Sequence, residues 1–162
     1  MSDRIIDGVS LQILNIIRQN AKLPNAEIAR QIGMAPSAVL ERVRKLEEQG
    51  IIQGYIAQIN PRALNLALLA FVSVSTSDRT SKMTTAKQIS KIPGVLEVHH
   101  IAGEDSYLVK VRTADTESLG RMLREDFGAI KSISATRTTV VLETILETSA
   151  LPTHNVEREK NG

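Results

Sequence analysis

The spacing Ala29-x3-Gly33-x5-Val39 constrains this chain more than any other feature. Residues 25–32 read as a short helix: Asn25 suits its N-cap and Glu27 lies in its first turn. Gly33 stands where a helix ends on a left-handed residue, and Pro36 suits the first position of the next helix. That second helix carries Val39, Val43 and Leu46 on one face and stops at Gly50. Two helices that cross steeply need a small residue where they touch, which is Ala29. The chain must also reverse in about three residues, which favours Gly33 at positive φ. Val39 and Val43 then pack back, while Ile28, Ile32 and Met34 fill the remaining core. This is the helix-turn-helix spacing, whose second helix enters the major groove of DNA. An ordinary αα-corner in a helical bundle has the same spacing and stays open on this ground alone.

A preceding apolar stripe of Ile13, Leu14, Ile16 and Ile17, ending near Lys22-Leu23-Pro24, completes a three-helix unit over residues 1–50. With about 100° of turn per residue, Val39, Val43 and Leu46 face inward, so Ser37, Ala38, Glu41, Arg44 and Lys45 face outward. Groove entry puts the N-terminal Ser37, Ala38 and Glu41 nearest base edges. Arg44 and Lys45 suit phosphate contacts, and Arg42 lies at the edge of the apolar stripe. Glu41 serves equally well as a solvated partner of Lys45 at i,i+4.

Composition neither adds to the DNA argument nor opposes it. The 162 residues carry a net charge of +2, with 7 basic against 6 acidic residues before Pro61 and 13 against 12 from there on. A strongly basic surface would argue for DNA by itself, and this balance does not. With 42% hydrophobic and 23% charged residues, both halves can build a packed core. The absence of cysteine excludes disulfides and Cys-ligated zinc fingers. The four aromatic residues, Tyr55, Phe71, Tyr107 and Phe127, are too few for the stacking platforms of single-strand binders. The longest apolar run, 66–72, is strand-sized and far from the ~18–20 residues of a membrane span. The N-terminus lacks a secretory signal, and a cytoplasmic location is expected.

After Gly50 the pattern changes. Residues 51–59, IIQGYIAQI, are β-like, but Pro61-Arg62-Ala63 supply neither the tight turn nor the second strand of a wing. This segment needs a strand partner from elsewhere, such as a second protomer, and residues 51–66 read as a hinge. Strands are expected at 68–75, 95–101 and 106–112, with helices over 80–92 and from the cap Asp115 to Phe127, and a long final strand over 130–146. The order βαββαβ is ferredoxin-like, placing an α+β effector or dimerisation domain at 67–147. Residues 148–162 are polar and read as a loose tail. Residues 68–72 and 140–142 are apolar on both faces, while helices cover only one face of a four-stranded sheet. A second copy packed sheet against sheet would cover the other, which predicts a homodimer.

Two stretches carry a family resemblance. NAEIARQIGMAPSAVLERVRKLEEQGIIQGYIAQINPRALNL looks like the N-terminal half of the leucine-responsive/AsnC family of bacterial and archaeal regulators. PGVLEVHHIAGEDSYLVKVR and TRTTVVLET resemble that family's effector-binding domain in order and spacing, so the likeness spans roughly residues 5–147. The resemblance implies dimers joined by the hinge strand and the βαββαβ domain, often assembled into tetramers or octamers, double-stranded DNA as partner, and an amino-acid effector bound between dimers. It places the effector at the loop Gly103, Glu104, Asp105, Ser106 and Tyr107 and at Thr136, Thr138 and Thr139. The chemistry fits an α-amino acid: Glu104 or Asp105 for its ammonium, and Gly103, Ser106 and the threonines for its carboxylate. A polar β-turn with Gly103 at positive φ accounts for the same residues. Three departures stand out. Ser106 occupies the usual place of an Asp, Ala35 stands where a Ser would cap the recognition helix, and Gly8 and Ser10 are atypical at the start of the first helix without touching function directly.

No catalytic machinery is evident. His99 and His100 are adjacent in a strand and point to opposite faces, so they cannot share a metal. Glu104-Asp105 has no nearby nucleophile, and no Gly-rich phosphate loop occurs, so neither an enzyme nor a cofactor is expected. The expected function is a sequence-specific, amino-acid-responsive transcriptional regulator on roughly palindromic operators. An architectural DNA-wrapping protein without an effector is the alternative.

Overall fold

The computed structural model describes residues 6–77 and 83–153. They fall into two compact units, one of 6–57 with 147–153 and one of 58–146.

The first unit is built from α1 (Gly8–Gln19), α2 (Asn25–Ile32) and α3 (Pro36–Glu48). Ile13, Ile28, Ala29, Val39, Val43 and Leu46 are buried together, the apolar faces that the helical periodicity places inward. The α2–α3 turn closes on Gly33 at φ 70° and ψ 36°, and the Met34 N–H reaches back to the Ala29 carbonyl at 2.9 Å. This left-handed ending satisfies the last carbonyls of α2 and sets the next helix across it. Asn25 is not the cap expected for α2: Pro24 occupies that position and Asn25 is the first helical residue. Pro36 opens α3, and Ala35 before it gives no side-chain cap.

Residues 53–60 have no regular secondary structure, and no strand of the sheet pairs with them. The second unit carries a 3-10 turn, Pro61–Leu64, near its start. There β1 (Leu68–Thr76), α4 (Thr84–Ile89), β2 (Val95–His100), β3 (Tyr107–Thr113), α5 (Thr116–Arg121) and β4 (Ile133–Val140) follow in order. The expected helix over 80–92 is visible only as α4, and residues 80–82 of it lie outside the described residues. The single helix expected from Asp115 to Phe127 changes character halfway, continuing from α5 as a π-helical turn, Met122–Phe127.

The sheet is antiparallel in the order β2-β3-β1-β4, the ferredoxin-like arrangement, with β2 and β3 adjacent as a hairpin. At its centre Val72 pairs with Val109 on one side and Thr138 on the other. One face, with Ala70, Val72, Val74, Val109 and Val111, packs on Ile89, Leu119, Met122 and Phe127. By strand alternation the other face carries Phe71 and Leu108, but also Ser73, Lys110 and Arg137. It is therefore mixed, not the apolar surface that residues 68–72 suggest. The final strand is also shorter than the expected 130–146. Val141 still donates to the Leu69 carbonyl, but β1 begins at Leu68, so residues 143–146 outrun their partner.

Among the described residues no helix is long and apolar enough to cross a membrane. Where a loose tail is expected, Arg18 of α1 donates to the Leu151 carbonyl at 2.8 Å and Thr153 hydrogen-bonds Asn15.

Candidate nucleic-acid interface and effector loop

In the first unit α3 presents a polar face because Val39, Val43 and Leu46 anchor its other side. Ser37, Glu41, Arg44 and Lys45 are exposed, while Ala38 is half-buried and faces solvent less than its helical angle suggests. Arg44 pairs with Glu48 one turn on at 3.2 Å, a solvated contact that a phosphate can displace. Arg42 differs from these. Its guanidinium donates to Asp7 at 2.6 Å and to the Ser10 hydroxyl at 3.2 Å, tying α3 to the start of α1.

Asp7 serves two partners. It caps α1 by accepting from the Ser10 N–H at 2.7 Å and receives Arg42 on its other oxygen. The Arg42 hydrogen bond, followed by the Ser10 amide, holds its carboxyl at about 2, below the ordinary 3.8. Asp7 and Ser10 thus position the recognition helix, a role that a reading of α3 alone does not reveal. The signal was Asp7 at a helix start, and its partner lies 35 residues away. At the far end of α3 the Tyr55 hydroxyl donates to Glu47 at 2.8 Å, anchoring the beginning of the hinge.

In the second unit the loop between β2 and β3 meets β4 at Asp105. Its Oδ1 accepts from the Ser75 hydroxyl at 2.9 Å, and its Oδ2 accepts from Arg137 at 2.5 Å. The loop backbone is fixed as well: Ser106 donates to the Val74 carbonyl at 2.9 Å, and Ile101 donates to the Ser106 carbonyl at 3.1 Å. Gly103 (φ 141°) and Glu104 are exposed, Asp105 and Ser106 half-buried. Thr136 and Thr139 are exposed on β4, and Thr138 is half-buried opposite Val72. Thr136 and Thr138 pair with Val74 and Val72 on the helix-covered face, so Thr139 alone of the three threonines shares the side of Asp105 and Arg137. Tyr107 does not join this group either. It is 2% exposed within the core, its ring 5.5 Å from that of His100. Strand alternation turns it away from the loop's polar side. The residue that sequence reasoning missed is Arg137, which lies between two of the expected threonines.

His99 bonds Glu97 at 3.0 Å, and Lys110 reaches the same carboxylate at 3.0 Å. Among the described residues no group of three or more His, Asp or Glu side chains could hold a metal ion.

A helix-turn-helix with an exposed second helix, carried on the same chain as a βαββαβ domain with a polar loop, defines a DNA-binding transcriptional regulator. The Lrp/AsnC ligand binding domain matches residues 69–151, and a winged helix-turn-helix DNA-binding domain matches residues 6–53. The leucine-responsive regulatory protein of Escherichia coli K12 is 34% identical over 150 residues, 90% of each chain. A transcriptional regulator of Neisseria meningitidis, crystallised with L-methionine, superposes with a TM-score of 0.87 at 27% identity, covering 93% of this chain and 98% of that one. The feast or famine regulatory protein of Mycobacterium tuberculosis, complexed with L-methionine, gives 0.82 at 30% identity over 89% and 97%. The chain belongs to the Lrp/AsnC family of transcriptional regulators. Its members are regulators and not enzymes.

Proposed function

We propose that this regulator is responsive to an amino acid and acts in the cytoplasm as a dimer or higher oligomer on roughly palindromic operators. The observation that carries the reading is the junction at Asp105, where the loop 103–106, Ser75 and β4 converge on one polar patch. The patch offers an anion for an ammonium group and hydroxyl and amide donors for a carboxylate, the two demands of an α-amino acid. Two of the structural relatives were crystallised with L-methionine.

On DNA, Ser37, Ala38 and Glu41 face base edges, while Arg44 and Lys45 contact phosphates. Two recognition helices of a dimer then engage half-sites about one helical turn apart. Ile56 and Ile59, 95% and 60% exposed in the unpaired hinge, support pairing of this segment with a second copy. Effector binding between βαββαβ domains shifts the oligomer's geometry and thereby the half-sites engaged together. It does so only if the effector prefers one assembly over the other.

The test is a titration of the full chain against its own upstream DNA, repeated with each of the twenty L-amino acids at millimolar concentration. A several-fold change in affinity or footprint with one amino acid supports the reading. Specific binding indifferent to all twenty rejects an amino-acid effector and leaves a regulator with another ligand or an architectural protein, and absence of protection at palindromic half-sites rejects the operator geometry.

A further inference from the structure

We infer that Arg137 is the receptor for the effector's carboxylate, and that an α-amino acid binds by inserting into the Asp105–Arg137 ion pair. The inference rests on the amino-acid reading above and adds to it a residue and a mode of recognition.

The two partners are held very differently. The Asp105 side chain is 14% exposed and fixed from behind by the Ser75 hydroxyl at 2.9 Å, whereas that of Arg137 is 69% exposed. When the pair opens, Asp105 stays and Arg137 swings, because its long stem reaches out from a strand over polar and small neighbours. Its cross-strand partner on β1 is Ser73, and the next pair on that face is Ser75 with Ala135. These short side chains leave room above the sheet where the guanidinium now lies, and the serines line it with hydroxyls.

Charge balance then selects the ligand. An α-amino acid carries its ammonium and its carboxylate on one α-carbon. Inserted between the partners, it replaces one ion pair by two, Asp105 with the ammonium and Arg137 with the carboxylate, at no change in net charge. A ligand with the ammonium alone leaves Arg137 unpaired, and one with the carboxylate alone leaves the half-buried Asp105 unpaired, which is the costlier defect. The planar guanidinium meets a carboxylate with two parallel N–H donors, a geometry that a backbone amide or a threonine cannot supply. Ser106, in the usual place of an Asp, is then no loss, since Asp105 is already oriented for the ammonium.

Calorimetric titration of the full chain with each of the twenty L-amino acids identifies the tightest binder; its α-carboxamide, which keeps the ammonium and lacks the carboxylate, is the second probe. Wild-type protein is expected to bind the amino acid at least tenfold more tightly than the carboxamide. In Arg137→Gln the amino acid is expected to weaken at least tenfold while the carboxamide is retained or improved, since Asp105 no longer has a partner to give up. The preference therefore vanishes or reverses, and Arg137→Lys restores part of it. The ratio within one variant does not depend on how much of that variant is folded. An unchanged ratio in Arg137→Gln, with binding intact, overturns this inference and leaves amino-acid sensing standing. Failure of all twenty amino acids to bind the wild type overturns the sensing reading, and this inference with it.

Discussion

Arg42 on the recognition helix is hydrogen-bonded at 2.6 Å to Asp7, the residue that caps the first helix. Arg42, expected at the edge of the apolar stripe among the DNA-binding candidates, is therefore engaged within the protein, where it ties α3 to the start of α1. Asp7→Asn keeps a competent cap but removes the charge partner. DNA affinity should fall about three- to tenfold while the salt dependence stays as in wild type, because no phosphate contact is lost. Lys45→Ala should instead lower the salt slope by about 1. Filter binding at four or five salt concentrations separates the two. A reduced slope in Arg42→Ala beyond that of Asp7→Asn would show that Arg42 also reaches the backbone of DNA.

The same pair predicts an acid response. Asp7 titrates at about 2 in the folded chain against an ordinary 3.8, with the Arg42 hydrogen bond the largest cause. A carboxyl lowered on folding stabilises above its unfolded value, and that contribution is lost as pH falls through the folded one. The loss belongs to the window from about pH 4 to pH 2. Asp7 is 54% exposed, so solvent screening reduces the effect well below what the shift alone implies. Glu27, also held at about 2 by Arg30 and Gln31, responds over a similar window from its half-buried place in the first turn of α2. Helix ellipticity in mild urea should show a shallower acid decline for Asp7→Asn than for wild type. Parallel declines would remove Asp7 from the account.

Gly94 predicts a sharper defect. It directly precedes β2 with φ 89°, and an added Cβ would lie 2.6 Å from the Arg112 carbonyl oxygen, while the Arg112 N–H donates to the Gly94 carbonyl at 2.8 Å. The clash is with backbone at the β2–β3 irregularity and no rotamer change relieves it. Gly94→Ala should cost roughly 2–3 kcal/mol, combining the left-handed penalty with displacement of the ladder. Urea unfolding of wild type and variant measures it, and a difference below 1 kcal/mol would refute the packing argument.

Most of the fold is legible in the sequence because its signals are local. Gly33 and Pro36 bracket one turn, and the alternation of Val72 and Val74, or Val109 and Val111, marks one buried face. What failed to show were the non-local decisions. The last strand stops at Val140, opposite Ala70, although β1 extends two residues further to Leu68, which nothing in residues 141–146 discloses. The helix after Asp115 widens to a π-turn through backbone bonding, for example Gly128 to Leu123 at 3.1 Å, that composition does not encode. At the candidate sites, exposure of Ser37, Glu41 and Lys45 follows from helical angle alone. Arg42 with Asp7 and Arg137 with Asp105 needed the fold, since each pair joins elements more than 30 residues apart. Tyr107 failed for the converse reason: it is contiguous with the loop, but strand alternation sends it into the core.

The missing cap on the recognition helix offers a gain instead of a loss. Ala35 precedes Pro36 with φ −71° and ψ 140°, the extended geometry of a capping residue, yet it provides no side-chain oxygen. A serine there needs no backbone change, is exposed, and places its hydroxyl to accept from the Ala38 N–H, whose present bond to the Ala35 carbonyl is 3.1 Å. Ala35→Ser should stabilise the helix-turn-helix unit by about 1 kcal/mol. Because Ser37 and Glu41 lie on the first turns after that cap, a less frayed α3 should also bind DNA about two- to fivefold more tightly, a fraction of the cap energy. Urea unfolding and a binding isotherm on the same preparation check both effects. Greater stability without tighter binding would mean that the first turn of α3 is already fully formed before DNA arrives. No gain in stability would mean that the hydroxyl fails to reach the Ala38 N–H, and the capping argument would fall with it.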